Sequence, residues 1–435
     1  MSYNRNFRLV HCLDTHLHKT FRYSAEGLRL SERDREDRSV RREYDASGRL
    51  VKETRPGGPE TGYVYDGNGD LTLVHDSGGR ELSYVYDGNH NPVLRREKVS
   101  EGAWTEEAYA WDRMGRLVSE RDGTGNVTRY RYEGMSPYPC RIVYADGSEC
   151  SLEYDALGRR LAEEDGAGRT EYAYSRSGWR TMVRDGEGNE THLLYNGSGQ
   201  VYAFYTPTQW KAGKGERTEY RYDFLGRRVE TRYPDGSREK RFLDGEGNVV
   251  KEVHPNAYDG ETGDGEGTRY EYDGENRLLR IRHADGGTER FFYDGSGNLV
   301  KHVLPGQYDA ETDDGAGRCY GYDEGNRLAS VTGPDGTPEK TFRRDPWGNC
   351  VEETDAEGYR TLYAYDLCGH MTGKLEPAGR DGGKTYYRMT SYAYDGNGNR
   401  TRETRHGGKY GEDWKQWEAG TDLVLSFSYD ARNRL

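Results

Sequence analysis

Tyr44-Asp-Ala-Ser-Gly-Arg-Leu-Val-Lys-Glu-Thr54 holds the unit from which most of this 435-residue chain is built. An aromatic residue enters a turn through Asp45, Gly48 closes the turn, and a short run leads away. The spacing returns at anchors 23, 44, 65, 86, 111, 132, 154, 174, 195, 222, 243, 272, 293, 322, 344, 365, 394 and 429. Eleven of the seventeen gaps are 20 to 22 residues; the others are 25, 27, 29, 29, 29 and 35. A period in this range marks one supersecondary unit stacked many times. Function therefore belongs to the assembled surface rather than to a single cleft.

Residues before each anchor alternate, as in Thr128-Arg-Tyr-Arg-Tyr132, Thr218-Glu-Tyr-Arg-Tyr222 and Thr268-Arg-Tyr-Glu-Tyr272. Period two predicts a strand with aromatics on one face and Arg/Glu on the other. Tyrosine suits such a face because its ring packs while its hydroxyl finds a polar partner. Asp follows fourteen of the eighteen anchors, with Ser24, Glu133, Ser175 and Asn196 elsewhere. A short acceptor there can bond the backbone N–H two residues on. Four residues past the anchor stands Gly in thirteen units and Asn276, Asn326 and Asn433 in three more. These residues tolerate positive φ, so the prediction is a type I turn with a bulge. His90 and Ser136 break the rule beside Pro92 and Pro137, and their turns are expected to be built differently. A second strand follows, such as Arg116-Leu-Val-Ser-Glu120, and ends at an Asp-Gly turn such as Asp122-Gly-Thr-Gly125. Each unit is thus a β-hairpin, and no helical periodicity is found.

The structural anchors selected on this basis are Tyr44, Asp45 and Gly48; Tyr65, Asp66 and Gly69; Tyr154, Asp155 and Gly158; and Tyr222, Asp223 and Gly226. Later units supply Tyr293, Asp294 and Gly297; Tyr365, Asp366 and Gly369; and Tyr394, Asp395 and Gly398. The fold class is all-β: tandem hairpins forming a long antiparallel strip. Eighteen hairpins make about 36 strands, on the order of 170 Å if flat. A twisted sheet of that length must wind, enclosing a hollow as a shell or open barrel segment, with successive turns pairing edge to edge. A propeller would show a period near 40 to 45, and 42 does not stand out. Residues 1–22 read as a degenerate first repeat, beginning Tyr3-Asn-Arg-Asn-Phe-Arg-Leu9, and 23–435 as one continuous array without a catalytic domain. Longer-loop units fall at 195–222, 243–272, 293–322, 365–394 and 394–435. Segments 248–272 and 298–322 align at an offset of 50, each with an eight-residue extension in its Asp-Gly turn. Such loops are expected to project on one side.

Apolar residues make only 32% of the chain and charged residues another 32%, yet 37 tyrosines supply large buriable faces. A thin structure, wet on both faces, reconciles these values. The net charge of −13, from 76 acidic and 63 basic residues well interspersed, provides no basic stripe for nucleic acid. No apolar run is long enough to span a bilayer, and the start lacks a signal peptide's apolar core, which places the chain in the cytoplasm before any delivery. Six cysteines (12, 140, 150, 319, 350, 368) show no Cys-x-x-Cys. Cys140 and Cys150 could meet across one hairpin; scattered reduced thiols are the other reading.

Cys12, Asp14, His16 and His18, with His11 beside them, form the best metal-like pattern. Neighbours on one strand face stand about 6.6 Å apart, so at most two chelate one ion without help from other strands. Asp259-Gly-Glu-Thr-Gly-Asp-Gly265 and its copy 309–315 miss the calcium-loop register. Gly-x-Gly patterns such as Gly186-Glu-Gly188 are hairpin turns with no helix to receive a phosphate. The repeated aspartates are turn formers, because an active site needs a unique constellation. No catalytic, cofactor or metal residue is expected.

Tyr44-Asp-Ala-Ser-Gly-Arg-Leu50, Tyr154-Asp-Ala-Leu-Gly-Arg-Arg-Leu161, Tyr272-Asp-Gly-Glu-Asn-Arg-Leu278 and Tyr429-Asp-Ala-Arg-Asn-Arg-Leu435 resemble the YD repeat of the Rhs family. That family includes bacterial polymorphic toxins, toxin-complex cages and the teneurin barrel. The resemblance covers essentially the whole chain and implies a β-strip that spirals into a shell around a C-terminal effector. It implies as partners the rest of the shell and the enclosed effector, with a secretion-machine component or surface glycan as further candidates, and export or cell-surface display within a larger protein. Asp345-Pro-Trp-Gly348 has the letters of the family's Asp-Pro-x-Gly cleavage boundary but occupies an ordinary anchor slot with repeats after it. The chain therefore reads as a slice of a longer array, a structural wall and not an enzyme. The alternative is a carbohydrate- or receptor-binding repeat module; a third reading is self-processing at Asp345–Pro346.

Overall fold

One carboxylate organises each anchor turn. In the computed structural model, which describes residues 2–3, 9–12, 19–34, 36–213 and 215–435, Asp45 Oδ1 accepts the backbone N–H groups of Ser47 and Arg49, both at 2.9 Å. The Gly48 N–H donates to the Asp45 carbonyl at 3.0 Å, and the strand register slips between Glu43 and Tyr44. Gly48 sits at φ 80°, the left-handed region where a Cβ is strained, so the turn is the bulged type that the spacing predicts. Asp66, Asp155 and Asp223 repeat the bonds. Ser24, Ser175 and Asn196 use a hydroxyl or amide oxygen instead.

His90 does not build a different turn. It takes φ 66° and donates its N–H to the Asp87 carbonyl at 3.2 Å like any other unit. Its ring Nδ1 lies 2.7 Å from Asp70 Oδ2, a contact that offsets the strain of a side chain there. The Ser136 turn does differ: the positive φ moves to Gly134.

Two further bonds join each unit to the next. Arg49 Nε donates to Asp45 Oδ2 at 2.7 Å, while its guanidinium lies 4.8 Å from the Tyr65 ring centre. The Tyr65 hydroxyl donates to the Leu50 carbonyl at 3.0 Å. Arg159, Asp155 and Tyr174 repeat the arrangement. The arginine in Tyr-Asp-x-x-Gly-Arg is thus an adhesive between hairpins, through a charge-assisted bond and a cation–π contact. Tyr65→Phe is expected to cost about 1 kcal/mol, the usual value of one such bond, read as a small fall in melting temperature with unchanged circular dichroism.

Among the described residues, 39 strands form one sheet, pairing antiparallel and mostly with their neighbours in sequence, against about 36 predicted. Two compact units divide the chain: Met1–Thr128 with Tyr293–Lys301 and Ala316–Leu435, and Arg129–Phe292 with His302–Gly315. The strip is thin, since only nine apolar side chains among the described residues are buried. Four of these, Leu362, Leu375, Tyr387 and Tyr410, form one cluster, with Met389 and Trp414 against it.

The two faces are not divided into aromatic and charged. Glu53, only 6% exposed, lies opposite Arg42 on the face that carries Tyr44 and accepts from Arg42 and Arg55 at 2.8 and 2.6 Å. The Tyr172 hydroxyl donates to Glu163 at 2.7 Å, and burial together with that carboxylate pushes its pKa up to about 12. Half-buried phenols need acceptors, and glutamates held by arginines supply them.

Helix is present where none was expected. Pro207–Ala212 is a short α-helix, and Pro255–Ala257 and Pro305–Gln307 are 3-10 turns. Six residues are too few to display a period, but Thr206-Pro-Thr-Gln209 is a capping box: Thr206 Oγ accepts from Gln209 N and Gln209 Oε1 accepts from Thr206 N. Trp210 stacks on His192 at 3.6 Å between ring centres. The extension in 365–394 is not a loop: Met371–Asp381 and Lys384–Tyr394 are 11-residue strands joined at Gly382 and Gly383. The duplicated extensions fold back as two-residue ladders, Tyr258 opposite Gly265 and Tyr308 opposite Gly315. In the last unit a small hairpin, Gly408–Tyr410 with Gln416–Ala419, pairs back onto the long strand through Tyr410 and Tyr387.

Candidate functional site

In the first unit, five successive anchor turns meet the opposite hairpin ends of an earlier stretch of strip, the first through Arg38 and Ser296. Arg327 reaches the Gly57 carbonyl at 3.3 Å. Trp347 Nε1 donates to Asp76 Oδ2 at 2.7 Å, under the Arg80 guanidinium at 4.7 Å. The Leu367 N–H donates to the Val99 carbonyl at 2.9 Å. Thr105 Oγ1 donates to the Gly396 carbonyl at 2.7 Å, and Asn397 Nδ2 to Asp122 Oδ2 at 2.8 Å. These partners are 258 to 291 residues apart in sequence. This contact differs from the edge-to-edge ladder expected from sequence. The long sides of a hairpin ribbon consist of turns, so the strip meets itself tip to tip.

Beside this seam lies a cleft of about 440 Å³ lined by Glu97, Thr105, Asp366, Cys368, His370 and Tyr394 among others. His370 Nδ1 lies 3.0 Å from Asp366 Oδ2, and its ring stacks on Tyr394 at 4.8 Å. Cys368 Sγ points at the Lys98 carbonyl at 3.6 Å. Burial first, then the carboxylates of Glu97 and Asp366, push the Cys368 thiol up to about 11. Three ligand-type atoms of Asp366, Cys368 and His370 lie within 4.8 Å of one another. Sequence reasoning passed over this cluster because Asp366 looked like any anchor aspartate; Cys and His three and five places past one anchor were the available signal.

The remaining candidates fall elsewhere. Asp14, His16 and His18 lie outside the described residues, as do the side chains of His11 and Cys12. Asp264 is paired with Lys251 at 2.7 Å and Asp313 with Arg280 and Arg290, while Asp259 and Asp309 accept bonds from within their own turns. Asp345 makes the anchor-turn bonds to Gly348 and Asn349. Cys140 and Cys150 are free thiols, with Ile142 facing Cys150 across the hairpin. Anchor tyrosines 222, 365 and 394 donate to main-chain carbonyls of Val201, Cys350 and Met371. Among the described residues no helix is long and apolar enough to cross a membrane.

The turn aspartates carry a pH dependence. The backbone N–H and then the guanidinium of Arg49 hold Asp45 below the usual carboxylate range, and Arg159 and Arg434 do the same for Asp155 and Asp430. A depressed folded-state value contributes stability above the unfolded pKa of about 4 and loses it as pH falls through the folded value. Acid titration followed by amide exchange should therefore show anchor turns loosening below about pH 4 and unchanged from there to neutrality.

Comparisons with known proteins agree in kind. The Teneurin YD-shell family matches residues 95–243, and RHS Repeat matches 23–60, 65–97, 272–309 and 344–381. Double-stranded DNA deaminase toxin A of Burkholderia cenocepacia is 27% identical over 148 residues, 34% of this chain and 10% of its own length. Toxin protein Tse5 of Pseudomonas aeruginosa is 30% identical over 170 residues, 37% of this chain and 12% of its own. The chain thus spans about a tenth of these relatives. The solved TcdB2-TccC3-Cdc42 structure shares the fold at a TM-score of 0.59 and 16% identity, over 96% of this chain and 26% of that one.

Proposed function

The chain belongs to the Rhs/YD-repeat family, and from that premise we propose that it is shell wall, confining a toxic or effector domain carried by a longer protein. The observation that carries this reading is the seam inside the first unit, where later anchor turns return to earlier hairpin ends, as one layer of a wall meets the next. The thin, ion-paired strip supports it, because a wall needs two wet faces rather than a filled core. Confinement, export within a larger protein and a non-enzymatic role for this stretch stand together in the proposal. Small-angle scattering and electron microscopy of the 435-residue chain test it: curved walls with low central density are expected, and a filled globule would overturn it. Saturable micromolar binding on a glycan array would instead favour an adhesive surface. Two fragments on incubation that vanish in Asp345→Asn would overturn the non-enzymatic part.

A further inference from the structure

The anchor turn at Tyr365 differs from all seventeen others in two places at once. Three residues past the anchor, where the other units carry Glu, Ser, Asn, Met, Leu, Gly, Trp or Arg, stands Cys368. Five residues past it, where Arg and Asn predominate, stands His370. The turn geometry is otherwise unchanged: His370 N–H donates to Asp366 Oδ1 at 2.8 Å and Gly369 N–H to the Asp366 carbonyl at 3.1 Å. A rigid turn therefore presents a carboxylate, a thiol and an imidazole at alternate positions toward one side.

The arrangement suits a transition ion better than an internal ion pair. Tetrahedral bonds of about 2.0–2.3 Å place donor atoms roughly 3.3–3.8 Å apart, and the three donor atoms here already lie within 4.8 Å. Stacking on Tyr394 fixes the His370 ring, and Nε2 faces Gly398, where a Cβ would crowd it. That leaves Nδ1 as the inward atom. Glu97, ion-paired with Arg95, lines the same cleft from the other stretch of strip and is the candidate fourth donor from across the seam. Mixed thiolate, imidazole and carboxylate sets select zinc-like ions over calcium or magnesium.

We propose that Asp366, Cys368 and His370, with Glu97 from the facing stretch, bind a divalent transition ion of the zinc class that clasps the seam. An ion that binds only when both stretches are in place stabilises the closed contact by RT ln(1 + c/Kd), where c is the free ion concentration. The site is independent of the shell reading, since a clasp could hold any two stretches that touch.

The test uses the full chain, stripped with chelator and titrated with Co²⁺ and then Zn²⁺. Wild type is expected to show a thiolate-to-cobalt charge-transfer band at one equivalent, bleached by Zn²⁺, and a higher melting temperature with Zn²⁺ than without. Cys368→Ser should lose the band while Cys350→Ser keeps it, and His370→Ala should weaken Zn²⁺ binding at least tenfold. Glu97→Gln should weaken it similarly; equal affinity in that variant would overturn the cross-seam ligand. No band in wild type, or a band that survives Cys368→Ser, would overturn the site.

Discussion

Gly396→Val is expected to part the two stretches of the first unit at their tips. A Cβ on Gly396 would overlap the Gly123 carbonyl, and one on Gly123 would overlap the Gly396 carbonyl and Thr105 Oγ1. The obstacle on each side includes main chain, so no rotamer change relieves it. The Thr105–Gly396 and Asn397–Asp122 bonds, at 2.7 and 2.8 Å, would go with the contact. A loss of about 2–3 kcal/mol is expected, two bonds at roughly 1 kcal/mol each plus overlap. Amide exchange around residues 122–126 and 395–399 should accelerate by about thirtyfold to a hundredfold, tenfold for each 1.4 kcal/mol. Gly67 occupies the same slot of its own turn with nothing within 4 Å, so Gly67→Ala should leave exchange unchanged. Equal exchange in wild type and Gly396→Val would remove the seam from the account.

Leu375→Ala is expected to be the other costly change, by about 3 kcal/mol. Most of the strip offers no core to damage: Val85 is 51% exposed, and truncating it should cost well under 1 kcal/mol. Leu375 is fully buried, opposite Leu362 and Met389 on its two neighbouring strands. The small hairpin of the last unit thickens the strip here. Its Trp414 lies over Gly373, where a Cβ would press into the indole, and Tyr387 donates to Glu412 at 3.0 Å. In an array whose units touch mainly their neighbours, the loss stays local. Exchange should rise across residues 360–394 and 408–419 while residues 39–86 keep their protection; uniform acceleration would contradict the local picture.

What the residues declared by themselves was everything governed by short spacing. Alternation before Tyr132 makes a strand, and Asp45 with Gly48 makes a bulged turn. Repetition at 21 residues makes a ribbon, because each of these depends on residues within one hairpin. The Arg49–Tyr65 contact was also present as a recurring arginine, though its partner lies one unit away and periodicity alone does not name it. His90 misled because a proline nearby suggested a new turn, when a single ring-to-carboxylate contact was enough to keep the old one.

Tertiary structure alone decided which tips touch. Gly396 and Gly67 occupy the same slot in near-identical turns, yet one faces another backbone and the other faces open space. That difference comes from where the strip returns on itself inside the first unit, between partners some 270 residues apart, which no local motif encodes. The same return brings Glu97 to Cys368, and so turns an ordinary anchor aspartate and two unusual neighbours into a cluster that could hold an ion.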